Sequence, residues 1–95
     1  MTGYNIDRQL ATFGEHVRGW RMVLGLTAQQ VADRAGITRV TLSKIETGQP
    51  GVAFGSVAQV LRALGTLDTM VAAVDPLASD LGRLRADTLV KKRVR

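Results

Sequence analysis

Gly36 divides the segment GLTAQQVADRAGITRVTLSKIETG, residues 25–48, into two short helical patterns, and no other feature limits the fold as tightly. The first pattern opens at Thr27, a good N-cap, and repeats Val31, Ala32 and Ala35 along one helical face. The second opens at Thr38 and repeats Leu42 and Ile45. Between them Gly36 can take the positive φ that ends a helix abruptly, and Ile37 can plug the corner. Residues 27–47 are therefore expected to form two helices joined at a tight angle, a helix-turn-helix.

The second helix keeps an outer face that no core requires. At about 100° per residue, turning Leu42 and Ile45 inward turns Val40, Ser43, Lys44 and Thr47 outward, with Arg39 beside them near the helix start. An ordinary solvated face also carries cations and hydroxyls. Val40 does not fit that reading, because its exposure gains nothing in water but suits contact with a thymine methyl. Arg39 and Lys44 can reach guanine edges or phosphates from the same surface. Thr27 and Gln29 stand at the start of the preceding helix, where free N–H groups and the helix dipole favour a phosphate; the plain alternative is N-capping by Thr27.

Around this motif the chain reads as helices throughout. A first helix starting near Asn5 or Asp7 repeats Leu10, Phe13, Val17, Trp20 and Leu24 at steps of three and four, one stripe expected to be buried, Trp20 included. Gly14 and Gly19 interrupt it, each at a cost of up to ~1 kcal/mol relative to alanine. Gly25 ends that helix, and GQPGVAFG (residues 48–55) reads as a loop. A fourth helix, near Phe54 to Leu64, is expected to bury Phe54, Val57, Val60, Leu61 and Leu64, with Gly65 closing it. A fifth pattern sets Leu67, Met70, Val71 and Val74 on a face expected to serve as a dimer seam, and Asp75-Pro76 breaks it. These features divide the chain into a domain of residues 1–75 and an extension of residues 76–95. The extension keeps Leu77, Leu81 and Leu84 in helical register with Asp75 as a cap, and reads as a marginal helix ordered by a partner. Three leucines are too few for a coiled coil.

Ninety-five residues suffice for one small core, and aliphatic packing dominates it because only 4% of the chain is aromatic. Without cysteine there is no disulfide framework and no thiolate metal site, which suits a reducing cytoplasm; no metal or cofactor is expected. The first dozen residues have neither a basic start nor an apolar run, and no stretch nears the ~18 apolar residues of a membrane span. The net charge of +5 is unevenly placed: residues 1–81 carry seven Lys/Arg and seven Asp/Glu, while residues 82–95 carry six against Asp87. A neutral body must rely on where its few cations sit, and the tail offers long-range attraction to phosphate. A solubilising end or a partner-binding segment would carry the same composition.

From Phe13 to Gly65, 53 of the 95 residues, the chain resembles the lambda-repressor-like helix-turn-helix family, the Xre or Cro/C1-type regulators. The resemblance rests on FGEHVRGWRMVLGLTAQQVADRAGITRVTLSKIETG and SVAQVLRALG, including the spacing of Arg21, Gly25, Gly36, Glu46, Gly48 and Leu64-Gly65. It implies an all-α, compact five-helix bundle with a basic C-terminal tail, whose third helix enters DNA. It also implies that Arg21 pairs with Glu46, joining helix one to the end of the recognition helix while touching phosphate. On this footing Arg39, Val40, Ser43 and Lys44 are expected to read bases, and Arg21, Thr27, Gln29, Thr38, Thr41 and Thr47 to position phosphates. The chain departs from the family at Ala28, where many relatives place a glutamine on the DNA backbone, and at Ala53, where they cap helix four with serine or threonine.

The implied protein is a cytoplasmic, homodimeric transcriptional regulator, a repressor on a palindromic operator. The alternative is an antitoxin of the HipB type, which binds DNA while holding a protein toxin. Catalysis is not expected: His16 is the sole histidine, and no cysteine, phosphate loop or second histidine accompanies it.

Overall fold

The computed structural model describes residues 4–94 and shows seven α-helices and one 3₁₀ turn among them, with no strand. They are α1 (Tyr4–Val23), α2 (Ala28–Ala35), α3 (Arg39–Glu46), α4 (Phe54–Leu64), α5 (Leu67–Ala73), the 3₁₀ turn Pro76–Ala78, α6 (Asp80–Leu84) and α7 (Ala86–Val94). The first five form the bundle, with α2 packed on α4 and on α3, α1 across α3, and α5 on α4.

Helices as short as α2 and α3 are marginal alone and hold their shape by caps and tertiary burial. Thr27 caps α2 in a full capping box: its Oγ1 accepts from the Gln30 amide at 3.0 Å, and Gln30 Oε1 accepts from the Thr27 amide at 2.8 Å. Gly36 ends α2 at φ 71°, ψ 30°, the left-handed conformation that L side chains resist. Thr38 caps α3 by accepting from the Thr41 amide at 3.1 Å. Ala53, at the N-cap of α4, offers no side-chain hydrogen bond, and the helix is tied to α2 from its last turn. There Arg62 Nη2 donates to the Arg34 carbonyl at 2.9 Å, satisfying a C-terminal carbonyl of α2 and tying α4 to it.

The core consists of Val17, Val31, Ala32, Ala35, Leu42, Ile45, Val60, Leu61 and Leu64, and all of them are aliphatic. Phe13, Leu26, Ile37, Val52, Val57, Leu67 and Met70 pack around it partly buried. The sequence expectation is corrected at three large residues. Trp20 and Leu24 are about half exposed because α1 is twenty residues long, roughly 30 Å, and outruns the eight-residue α3 it crosses. Phe54 is 68% exposed: it is the first residue of α4, with no preceding turn to lie over, and Val52 takes the inward place instead.

Two glycines make the α1–α3 crossing. A Cβ at Gly14 would lie 2.6 Å from the Ile45 carbonyl oxygen and nearer still to that of Glu46. At Gly48, where φ is 78°, a Cβ would lie 2.7 Å from the Ala11 backbone. The end of α3 therefore rests directly on the backbone of α1, a contact that only missing side chains permit.

The extension is not one helix. Asp75 caps the 3₁₀ turn by accepting from the Leu77 amide at 2.9 Å, and Ser79 caps α6 by accepting from the Gly82 amide at 3.0 Å. Two caps four residues apart start the chain twice, which breaks the register of Leu77, Leu81 and Leu84.

Candidate nucleic-acid interface

The α3 helix presents its outer face on a scaffold fixed from behind. Leu42 and Ile45 are buried, whereas Arg39, Val40, Ser43 and Lys44 are exposed, Val40 at 65%. These four lie on one side of two helical turns, mixing two cations, a hydroxyl and an aliphatic surface. Such a mixture can meet base edges and a thymine methyl in a major groove.

The strongest tie between this helix and the bundle is ionic. Arg21 Nε donates to Glu46 Oε2 at 2.8 Å and Nη2 to Glu46 Oε1 at 3.0 Å, a two-point pair between α1 and the last residue of α3. The two side chains are only 15% and 11% exposed, so the pair is weakly screened and geometrically strict. The hydrogen bonding of Arg21 to Glu46, opposed by burial and helped by the negative charge of Glu46, raises the Arg21 pKa above the usual value. Arg21 Nη1 also donates to the Leu26 carbonyl at 3.4 Å, leaning on the start of α2. With three N–H groups turned inward and so little surface open, Arg21 is first a brace; at most its two remaining N–H groups face a phosphate.

The hydroxyls and amides assigned to phosphate divide by their free protons. Thr27 accepts at its oxygen within the capping box, so its own O–H stays available, as do the first amides of α2 at Ala28 and Gln29. Gln29 instead donates from Nε2 to Asp33 Oδ1 at 2.8 Å, which holds its amide along α2 and brings a carboxylate beside it. Thr38 donates to Thr41 Oγ1 at 3.1 Å while capping α3, leaving Thr41, half-buried, the free proton of the pair. Thr47 donates to the Ser43 carbonyl at 2.8 Å and lies 3.3 Å from that of Lys44. Its proton is committed to closing α3, and the remaining lone pairs are no partner for a phosphate oxygen; in this conformation Thr47 is a C-terminal cap.

The seam read on α5 also divides. Leu67 and Met70 pack against their own core, and Val71 and Val74 stay exposed. A groove of about 400 Å³ runs from Met70 to Phe54 past Leu10, Phe13, Val52 and Gly48 at the end of α3. The close approach at Gly14 and the tie made by Arg62 were not legible from periodicity, and Phe54 was read as buried where it is exposed. Gln30 was passed over as well, although threonine followed three residues later by glutamine is the signature of a capping box and could have found it. Among the described residues no cluster of His, Cys, Asp and Glu could hold a metal ion, and no helix is long and apolar enough to cross a membrane.

Two short helices set at an angle by a left-handed glycine, the second exposed along a cationic face, define the helix-turn-helix class of DNA-binding domain. The chain belongs to the helix-turn-helix domain family, whose profile matches residues 12–74. No curated protein and no solved structure matches it.

Proposed function

We propose that this chain is a sequence-specific transcriptional regulator of the lambda-repressor-like type, acting as a homodimer on a near-palindromic operator. The observation that carries the reading is the exposed Arg39–Val40–Ser43–Lys44 face, held rigidly by a bidentate Arg21–Glu46 pair at the other side of α3. Arg39, Val40 and Lys44 read bases, with Ser43 assisting, and Thr27, Thr41 and the first amides of α2 seat the phosphates. The two α3 helices enter successive major grooves roughly 34 Å apart. Val71 and Val74, with Phe54 across the groove from Met70, supply the exposed apolar surface for the subunit contact. On this reading the protein performs no catalysis, acts in the cytoplasm where its DNA lies, and represses by occupying the operator.

Selection of bound sequences from a random DNA pool tests it. Enrichment of two inverted half-sites about one helical turn apart is the expected result, and a pool that stays random after repeated rounds refutes it. Binding as an antitoxin is compatible with the same α3 face, and would appear as co-purification of a stoichiometric second protein that leaves the selected operator unchanged.

A further inference from the structure

The extension leaves the bundle instead of folding onto it. The radius of gyration is 16.3 Å, against about 12 Å for a compact chain of this length. The main packing partner of α6 is the 3₁₀ turn just before it. This corner is cross-braced: Ser79 Oγ donates to the Pro76 carbonyl at 2.9 Å, and Arg83 donates both to the Leu77 carbonyl at 2.9 Å and to Asp80. Gly82 lies so close to the Pro76 carbonyl that a Cβ there would overlap it. What the brace holds outward is apolar: Leu81 is 62% exposed and Leu84 79%. These follow Val74, itself exposed, along the chain from the face already assigned to the subunit contact.

The bundle carries a matching surface. Trp20, 48% exposed, stands between two hollows of about 240 and 280 Å³. One is walled by Leu64, Thr69 and Ala73, the other by Glu15, Gly19 and Val23, with His16 shared between them. Its own arm departs three residues after Ala73, and no residue of that arm lines either hollow. Glu15 at the rim and Arg85 on the arm are of opposite charge.

We propose that two copies exchange arms, the Leu81/Leu84 corner of each seating on the Trp20 face of the other. The exchange rests on the dimeric reading above but is separable from it, because Val71 and Val74 are untouched by changes in the arm. Trp20 is the only tryptophan, so its emission reports the seat directly. In the full chain the emission should move to shorter wavelength as concentration rises, with its midpoint where sedimentation shows the dimer forming. The variant L81D/L84D, altered at two exposed positions and checked for unchanged helical content, should keep the monomer emission at every concentration. Emission that does not depend on concentration overturns the exchange, as does a shift that L81D/L84D retains, which would assign the cover to α5. A variant that keeps the shift but weakens operator binding hands the arm to DNA and overturns it equally. Because the chain has no cysteine, single variants V23C and L84C give an independent readout. Mixed and oxidised, they should form the mixed disulfide in preference to either symmetric one, and a statistical mixture refutes the proposal. Palindromes still selected by a protein whose Trp20 never shifts would defeat the exchange alone.

Discussion

Alanine at Gly14 and alanine at Gly19 should act in opposite directions, although both glycines lie inside α1. The propensity effect is the same for each, a gain of about 0.5 to 1 kcal/mol. At Gly19 nothing lies within 4 Å of the added Cβ, so the gain should be realised. At Gly14 the Cβ would stand 2.6 Å from the Ile45 carbonyl oxygen, about 0.8 Å short of the 3.4 Å at which ordinary contact begins. Both nearest groups are backbone, so α1 and the end of α3 must part. Overpacking of this kind typically costs about 1 to 3 kcal/mol. The displacement also reaches Arg21, two helical turns along the same face. Its 2.8 and 3.0 Å bonds to Glu46 would stretch beyond hydrogen-bond range if the whole shift were transmitted. Part of the roughly 1.5 to 3 kcal/mol that such a charged pair contributes is then lost.

Net of the propensity gain, G14A should destabilise by about 2 to 3 kcal/mol, while G19A stabilises by up to ~1 kcal/mol. The two variants, about 2 to 4 kcal/mol apart, should then melt roughly 8 to 32 °C apart, at about 4 to 8 °C per kcal/mol for a domain of this size. Urea unfolding followed by circular dichroism, with thermal melts alongside, measures both. Equal stabilisation by the two alanines would refute the claim that α3 rests on the backbone of α1 at residue 14.

Three further outcomes are expected. A double-mutant cycle on Arg21→Ala and Glu46→Ala should give a coupling of about 1 to 3 kcal/mol that changes little between low and high salt, because the pair is largely buried; coupling near zero in urea titrations would make it ornamental. Arg39→Ala should cost about 1 to 3 kcal/mol on the selected operator and relax preference at one base pair. Equal losses on operator and random DNA would move Arg39 to the backbone. K91Q/K92Q/R93Q should lower the salt slope of binding by up to about 3, near 0.9 per phosphate contact, whereas an unchanged slope leaves those charges off the DNA.

What periodicity could reveal was the inside of the bundle. Val31, Ala32, Ala35, Leu42, Ile45, Val60, Leu61 and Leu64 recur at helical spacing and are buried, because a helix with one apolar stripe has one way to hide it. The limits of α4 were legible for a related reason, since Gly65 punctuates its end. Trp20 and Phe54 were misread because a stripe says which side of a helix turns inward, not how far along it the neighbours extend. Gly14 was read as a weakness because a missing side chain shows its purpose only when another backbone occupies the space. The extension misled for a third reason: Asp75 and Ser79 compete with continuous helix through caps, and leucine spacing is blind to caps.

The distribution of charge bears on why two copies would be required. Up to residue 81 the chain is electrically balanced, so a single bundle has little general attraction for phosphate to add to its base contacts. On the proposed reading its outer α3 face offers three principal base-reading groups, each worth about 1 to 3 kcal/mol of discrimination. Together that is about 3 to 9 kcal/mol, which reaches the roughly 4 to 10 kcal/mol separating specific from non-specific binding only when the contacts are near their best. A second α3 face on a symmetric site doubles the discrimination without a new kind of contact. Arms that lock the two bundles together would also fix the spacing between half-sites. Selected operators should therefore tolerate changes in half-site spacing better with L81D/L84D than with the parent chain, and identical spacing preferences would separate the arms from the geometry of recognition.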